Sequence, residues 1–409
     1  MDDKTLKIIS NALDKTLNHF TNDQNCIYQN EKERLKFKHT SRDELNKWKK
    51  KNTCIVDKCN NKSIEKSHTI QKSASIKLIS ENGHVLTPKL NPDNGRIELF
   101  SVGVNEASTF PGFCKEHEKL FEGFENIKDF NDGLHLGLQL YRTVCREIVI
   151  CNNRIKSIKY LADNYRQFRD NRIKEIFFDV VGTDFIEDNN IYLENFKLNY
   201  KDERLRLVEE HIKNQESYLH DFLNVFRFAI LNDLKKNKFQ KTVYKAIHLD
   251  FVVPVALAGR GNFFIKTMRK IKSIDLIINV LPLNCKTLIF ASTLKKFTNE
   301  FDHYMKQFFY PLKAVSMIEN WMIHGSDHWF IKPSEWHKLD DWLQKEILNE
   351  IANTSYNIGH DCSFSIFKDI RTDIIKIFDN IIGPKQIHIT NYFETERNKL
   401  NVKRMNLTP

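Results

Sequence analysis

Two pairs of metal-binding residue types lie at the ends of one segment and constrain its fold more than any other feature. Cys54 and Cys59 flank one short loop, and Cys114 and His117 flank another. A structural Zn²⁺ is held tetrahedrally by four such ligands, commonly two from each loop. We therefore predict one structural Zn²⁺ site from these four residues. The alternative is that the cysteines are ordinary buried, reduced thiols. A disulfide between Cys54 and Cys59 is disfavoured, because nothing in the sequence indicates an oxidising compartment.

The residues between the two pairs predict a β-hairpin. Apolar and polar residues alternate over 84–90 and 96–102, and Asn94-Gly95 lies between these runs. Asn-Gly tolerates positive φ at both positions and is a strong signal for a tight hairpin turn. Pro111-Gly112 then interrupts the chain, and helical spacing begins near the last two ligands. The predicted order is a metal loop, a hairpin and a helix whose first turn carries two ligands, which resembles a treble-clef zinc finger.

The chain of 409 residues is longer than one typical domain. We predict an α+β fold with four parts. These are an N-terminal helical and basic segment (1–52), a zinc module (53–128), a helical region (129–240) and a mixed α+β C-terminal domain (241–409). The first of them has apolar residues at helical spacing over 1–20.

The helical region and the C-terminal domain differ in periodicity. A heptad pattern of apolar residues over 205–229 predicts a helix that must pack on another helix. Its partner is either the segment 136–168, as an antiparallel hairpin, or a second copy of the chain in a homodimer. β-branched runs over 243–253, 273–281 and 286–292 predict a small antiparallel sheet of three or four strands. The glycines within 258–262 predict a turn.

The net charge of +10 and the pI near 9.0 favour a polyanionic partner. A basic run over 31–51 adjoins the predicted zinc module, and its lysines at positions 47, 49, 50 and 51 are candidates for binding nucleic-acid phosphates. A simple solvated surface would explain the same run. These candidates are Lys47, Lys49, Lys50 and Lys51.

The apolar run over 251–258 is too short to cross a bilayer, and no signal peptide is evident at the start. We expect a soluble, cytoplasmic protein without a membrane partner.

A tryptophan-rich segment over 321–342 also contains His324 and His328, whose spacing is compatible with a second metal site. Gly325 between them disfavours a regular helix, so we predict aromatic packing with hydrogen-bonded histidines instead.

The segment 54–127 resembles the zinc-containing HNH endonucleases of the ββα-metal class. The resemblance is carried by the first cysteine pair, by His68 in the sequence Ser-His-Thr-Ile, by the hairpin and by the second ligand pair at a helix start. It implies a phosphodiester hydrolase that uses Mg²⁺ or Mn²⁺ to stabilise the scissile phosphate. By position, His68 would be the general base and His84 a second catalytic or metal-binding imidazole.

One position departs from that family. Glu118 follows His117 where the family usually has an Asn or His that binds the catalytic metal. Either Glu118 takes that role, or His117 binds the catalytic metal, or the module is inactive. The whole chain also looks similar to uncharacterised bacterial proteins that accompany anti-phage defence loci. Three hypotheses follow. The chain is an HNH-like endonuclease that cuts DNA as a defence effector, or a non-catalytic zinc module that binds nucleic acid or a protein partner within a larger defence assembly. The third is a subunit of a larger assembly that uses the heptad pattern and the tryptophan-rich segment as interaction surfaces.

Overall fold

The structure is a computed structural model that describes residues 3–22, 31–46, 52–91, 94–130, 132–182, 202–266, 271–352 and 364–382. Contacts between residues divide the chain into two compact units. The smaller consists of Met1–Trp48 and Ile150–Leu219, and the larger of Lys49–Val149 and His220–Pro409. The predicted four-part division remains a prediction.

The described part of the smaller unit is helical. It contains α1 (Asp3–Asn22), α2 (Glu31–Asn46), most of the long helix α5 (Gly133–Val181) and α6 (Glu203–Tyr218). Ile9 and Ala12 of α1 pack on Phe177 of α5. This contact confirms that the N-terminal segment forms an amphipathic helix with an apolar face.

Helix α6 packs antiparallel to α5, as the hairpin alternative for the heptad pattern predicts. The carboxylate of Asp202 caps α6 by accepting hydrogen bonds from the backbone amides of Arg204 and Leu205. Asp202 also forms an ion pair with Arg169 of α5, and Glu209 of α6 forms one with Arg166 at 2.9 Å. The apolar pattern itself does not continue as one α-helix. A π-helical turn at Leu219–Asn224 separates α6 from α7 (Val225–Lys236).

The larger unit contains an antiparallel seven-stranded sheet in the order β3-β2-β9-β6-β7-β8-β5, and a short pair formed by β1 and β4. The strands are β1 (Ser67–His68), β2 (His84–Leu90), β3 (Ile97–Gly103), β4 (Thr109–Phe110), β5 (Thr242–Leu249), β6 (Val255–Lys266), β7 (Ile271–Leu283), β8 (Lys286–Leu294) and β9 (Trp329–Ile331). The helices of this unit besides α7 and the start of α5 are α3 (Lys115–Glu118), α4 (Glu122–Ile127), α8 (Thr298–Met305), α9 (Pro311–Asn320), α10 (Pro333–His337), α11 (Asp341–Ala352) and α12 (Lys368–Ile382).

The predicted hairpin and the predicted C-terminal strands belong to one sheet. β2 and β3 pair in full register from His84 opposite Gly103 to Leu90 opposite Ile97. The short strand β9 lies between β2 and β6 and hydrogen bonds to both. The α+β class is therefore correct, but the C-terminal sheet is larger than the three or four strands predicted.

The predicted glycine turn at 258–262 is wrong, because these residues form the middle of β6. Gly259 pairs with Ile278 and Gly261 with Leu276 of β7. A Cβ at Gly259 would lie 2.0 Å from Oγ of Ser326. The glycine is therefore required by close packing against the segment before β9, and not by a turn.

The core of the larger unit combines β-branched strand residues with aromatic residues of the helices. Trp321 and Trp329 are fully buried, and each indole N–H has a partner: Trp321 donates to the hydroxyl of Tyr304 at 2.6 Å, and Trp329 to the carbonyl of Met322 at 2.8 Å. The tryptophan-rich segment is thus a core element, as predicted. Within the described ranges, no helix is long and apolar enough to cross a membrane.

Candidate metal centre

The structure brings the four predicted ligands together. One ligand atom from each of Cys54, Cys59, Cys114 and His117 lies within 4.8 Å of every other. Nδ1 of His117 is 3.5 Å from Sγ of Cys54 and 3.3 Å from Sγ of Cys114, and the sulfurs of Cys59 and Cys114 are 3.9 Å apart. Tetrahedral zinc with Zn–S bonds of about 2.3 Å requires ligand separations of roughly 3.5–4 Å. The group could therefore hold a metal ion such as zinc.

Backbone hydrogen bonds fix the two loops side by side. Ile55 donates to the carbonyl of Gly112 at 2.8 Å, and Ile64 donates to that of Phe113 at 2.8 Å. The backbone N–H of Cys114 points at Sγ of Cys54, 3.4 Å away. These contacts bring both ends of the segment together and make Cys114 the residue before helix α3.

The pKa values of the two buried thiols, Cys54 and Cys114, are shifted in opposite directions. Burial raises the pKa of Cys54 to about 11. Burial also acts to raise the pKa of Cys114, but hydrogen bonds from the backbone and the ring of His117 outweigh it and lower that pKa to about 6. A metal ion needs both groups as thiolates, so its binding must release a proton from Cys54 at neutral pH.

Helix α7 holds the first metal loop in place. Arg227 is 7% exposed and donates to the carbonyl of Ile55 at 2.9 Å and to the carboxylate of Asp57 at 2.8 Å. Behind the second loop, the ring of Phe113 packs on those of Phe121 and Tyr141 at centroid distances of 5.0 and 6.1 Å. The metal loops are therefore part of the larger unit and not a separate finger.

Glu118, the residue that departs from the HNH pattern, is engaged in an ion pair. Both Glu118 and Glu125 accept hydrogen bonds from the buried guanidinium of Arg142. The second carboxylate oxygen of Glu118 accepts from the hydroxyl of Ser67 on β1. This carboxylate therefore links α3, α5 and β1.

His68 lies on β1 and pairs with Thr109 of β4. Thr109 precedes the second ligand pair by only a few residues in the sequence. The side chain of His68 is partly buried, and its Nε2 is buried without a hydrogen-bond partner in the described part of the chain. Burial, followed by the positive charges of Arg142 and Lys72, lowers its pKa to about 4. The imidazole is thus neutral at pH 7, which is the form that accepts a proton.

His84 occupies a different place from His68. It is the first residue of β2, its side chain is exposed, and its Nδ1 lies 2.9 Å from the carbonyl of Asn82. Among the described residues, the Cys54 group is the one set of three or more His, Cys, Asp or Glu side chains that could hold a metal ion. Neither His68 nor His84 belongs to it. Their predicted catalytic roles remain predictions.

The predicted phosphate-binding lysines, Lys47, Lys49, Lys50 and Lys51, lie outside the described residues. Other lysines are placed around the metal group. Lys58 in the first loop, Lys62 three residues after that loop and Lys115 in the second loop are exposed. Lys58 adopts a positive φ of 65° in the bend between Cys54 and Cys59.

The second histidine pair forms no metal site within the described residues. His328 is buried and its Nδ1 lies 2.7 Å from the carbonyl of Ala258, while His324 lies 3.7 Å from the carboxylate of Glu350. Burial and the charge of Arg146 hold the pKa of His328 well below its usual value. Both histidines are packed in the interior, as the sequence interpretation favoured, and His328 is also within hydrogen-bond distance of a backbone carbonyl.

Sequence reasoning missed the two arginines that support the metal loops. Arg142 and Arg227 lie on helices outside the segment that holds the ligands, and neither belongs to a recognisable motif. The signal available was weak, because no local pattern distinguishes a buried, ion-paired arginine on a helix from the more common exposed one. No protein family, curated protein or solved structure matches this chain.

Proposed function

We propose that this chain is a zinc-stabilised protein that binds DNA through the surface around its metal loops. The observation that carries the proposal is the compact group of three cysteines and one histidine drawn from both ends of the segment 54–117. Such a group fits Zn²⁺ by ligand type and separation, and zinc sites of this kind stabilise small modules.

The charges around the metal loops support a polyanionic partner. Lys58, Lys62 and Lys115 are exposed beside the ligands, and the chain carries an excess of ten positive charges. Lysines bind nucleic-acid phosphates by releasing condensed counterions, so affinity falls as salt rises. In the sequence, the basic run that ends at Lys51 directly precedes the first metal loop.

The test is binding of a fluorescein-labelled 30-base-pair duplex, measured by anisotropy at several salt concentrations. We expect Lys58→Gln/Lys62→Gln to weaken binding and to flatten the salt dependence. Cys114→Ser should abolish the binding that depends on the metal loops. Lack of duplex binding by the wild-type protein at 50 mM salt would reject the proposal and leave a protein partner as the remaining role of this surface.

A second candidate function is metal-dependent hydrolysis of DNA, as in HNH endonucleases. The observation in its favour is His68, a neutral imidazole with an unpartnered Nε2 on the strand pair beside the metal loops. As general base it would accept a proton from the attacking water, while Mg²⁺ or Mn²⁺ would neutralise charge on the phosphate. Because Nε2 is covered, segment 67–69 would have to move for a water to reach it.

Cleavage of supercoiled plasmid in the presence of Mg²⁺ or Mn²⁺ tests this candidate. Wild-type protein and His84→Ala should be compared with His68→Ala, which retains the metal group. Cleavage that disappears in His68→Ala alone supports the general-base role. Equal cleavage by His68→Ala and wild type, or none by either, contradicts it.

A further inference from the structure

A second basic surface lies away from the metal loops, where the end of α7 meets β5 and β8. It is formed by six exposed lysines. We call it the lysine cluster, and it consists of Lys235, Lys236, Lys238, Lys241, Lys295 and Lys296. The stretch 235–241 contains four of them and no acidic residue, and the stretch 294–299 contains the other two and no acidic residue.

A buried carboxylate holds one side of the cluster in a fixed shape. Asp233 is 1% exposed and accepts hydrogen bonds from the backbone amides of Gln240, Lys241 and Thr242 and from the hydroxyl of Thr242, all at 2.8–2.9 Å. The turn between them contains Asn237 with a φ of 47°, which ends the helix. The lysines of this turn therefore project from an ordered backbone.

The sheet places the other two lysines beside this turn. Lys295 donates its backbone N–H to the carbonyl of Lys241 at 2.9 Å, and Thr242 pairs with Leu294 at the start of the β5–β8 ladder. Two stretches that are distant in sequence are thus joined into one positive surface.

No ion pair neutralises the cluster within the described residues. Asp233, the acidic residue nearest in sequence, is buried and already accepts four hydrogen bonds. The Nζ of Lys296 lies 4.9 Å from the centroid of the Phe297 ring, which carries no negative charge. Uncompensated like charges at this density repel one another, and an anionic partner would relieve that repulsion.

Helix α7 connects the cluster with the metal loops. Arg227 near its start binds the first metal loop, and Lys235 near its end belongs to the cluster. Eight residues of α-helix span about 12 Å, a length over which duplex DNA carries about seven phosphate charges. The two ends of α7 are therefore closer together than the length of a short duplex.

We propose that the lysine cluster binds the phosphate backbone of double-stranded DNA and forms one track with the lysines of the metal loops. This inference rests on the proposed DNA binding. The cluster suits nucleic acid better than a membrane, because none of the described residues 233–242 and 294–297 is an exposed large apolar side chain that could enter a bilayer. It would supply affinity without sequence preference.

The experiment compares two variants that each remove two positive charges. Lys241→Gln/Lys295→Gln alters the cluster, and Lys345→Gln/Lys368→Gln alters exposed lysines on α11 and α12 as the matched control. With the labelled duplex, we expect the cluster variant to bind about tenfold more weakly at 100 mM salt. The slope of log affinity against log salt should become shallower by about two, because each neutralised phosphate contributes about 0.9 to that slope. The control should match wild type.

The outcomes separate this inference from the proposed function. Wild-type binding that is weakened by Lys58→Gln/Lys62→Gln but not by the cluster variant overturns the cluster proposal alone. Absence of wild-type binding overturns both. Vesicles of phosphatidylserine and phosphatidylcholine are the second probe: loss of vesicle binding with unchanged duplex binding would assign the cluster to a membrane surface and overturn the proposal. Circular dichroism of each variant verifies folding.

Discussion

The metal loops and the central strands of the sheet both belong to the larger unit, but they are stabilised by different means. The loops have few regular elements and converge on four ligand atoms within 4.8 Å. By contrast, β7 and β8 bury residues such as Ile277, Ile278 and Ile289 completely. Each such side chain contributes about 1.5–3 kcal/mol on burial. The difference teaches that removal of the metal should affect the loops far more than the sheet.

The largest effect that would break this comparison is expected from Cys114→Ser. Structural zinc contributes roughly 10–16 kcal/mol of binding free energy to small modules, so its removal should unfold the loops. Hydrogen exchange should show little protection over 52–64 and 108–118 and retained protection in β7 and β8. Cys285→Ser, at an exposed cysteine outside the metal group, serves as the control. Unchanged exchange in the loops of Cys114→Ser would show that the metal does not stabilise them.

A buried ion pair among the helices that pack on the sheet should stabilise the protein to the same extent with and without bound metal. Glu319 is fully buried and accepts hydrogen bonds from the amides of Ile366 and Phe367 and from Arg371. We expect Glu319→Gln to lower the free energy of unfolding by about 3–5 kcal/mol, because it leaves a buried charge unpaired. Urea denaturation with and without a chelator measures this cost.

The matched control for that change is Asp369→Asn. Asp369 is 69% exposed and pairs with Lys338 at 3.0 Å, and such surface pairs contribute about 1 kcal/mol or less. If Glu319→Gln and Asp369→Asn have equal effects, the buried pair does not anchor α12. If the cost of Glu319→Gln depends on the metal, the two regions are coupled.

We expect His68, on the strand β1, to make the stability of the larger unit depend on pH. The pKa of His68 falls from 6.5 to about 4 on folding, chiefly because of burial. The unfolded chain therefore binds the proton more tightly than the folded protein. As a result, the contribution of neutral His68 to the free energy of unfolding is complete above pH 6.5 and is lost as the pH falls toward 4. The shift corresponds to about 3 kcal/mol.

Urea denaturation of wild type and His68→Gln between pH 4 and 7 measures this contribution. We expect the difference in unfolding free energy between the two proteins to change by a few kcal/mol over that range. His84→Gln, at an exposed histidine, should follow wild type. A constant difference between wild type and His68→Gln would show that His68 is not buried in its neutral form.

The smallest expected effect concerns the close approach between β6 and the segment before β9. In Gly259→Ala the new methyl group would meet Oγ of Ser326 at 2.0 Å, and overpacking of this kind costs about 1–3 kcal/mol. Gly103→Ala on β3 is the control, because its nearest neighbour would be 3.9 Å away. Thermal denaturation should show a lower Tm for Gly259→Ala alone. Recovery in Gly259→Ala/Ser326→Gly would confirm the cause.

The sequence predicted those features that depend on local patterns. Asn94-Gly95 specified the hairpin, and the ligand spacing identified Cys54 and His117 as neighbours. Long-range pairing was not accessible in the same way. Strand β9 has only three residues, and nothing in its sequence indicated that it joins the hairpin to β6. Gly259 indicated a turn, because its role depends on a side chain that is distant in sequence.

The supporting residues of the candidate site were inaccessible for the same reason. Arg142 and Arg227 act through contacts with Glu118 and with the first metal loop, and such contacts are set by the packing of helices and not by spacing in the chain. The lysine cluster likewise combines two stretches that only the β5–β8 pairing brings together.

The central claim is that one metal ion is bound by three sulfurs and one imidazole nitrogen. Elemental analysis of the purified protein, with zinc-edge X-ray absorption on the same sample, tests it most directly. We predict one zinc per chain with three Zn–S bonds near about 2.3 Å and one Zn–N bond near about 2.0 Å. A folded, metal-free protein, or zinc bound mainly by oxygen, would contradict this claim.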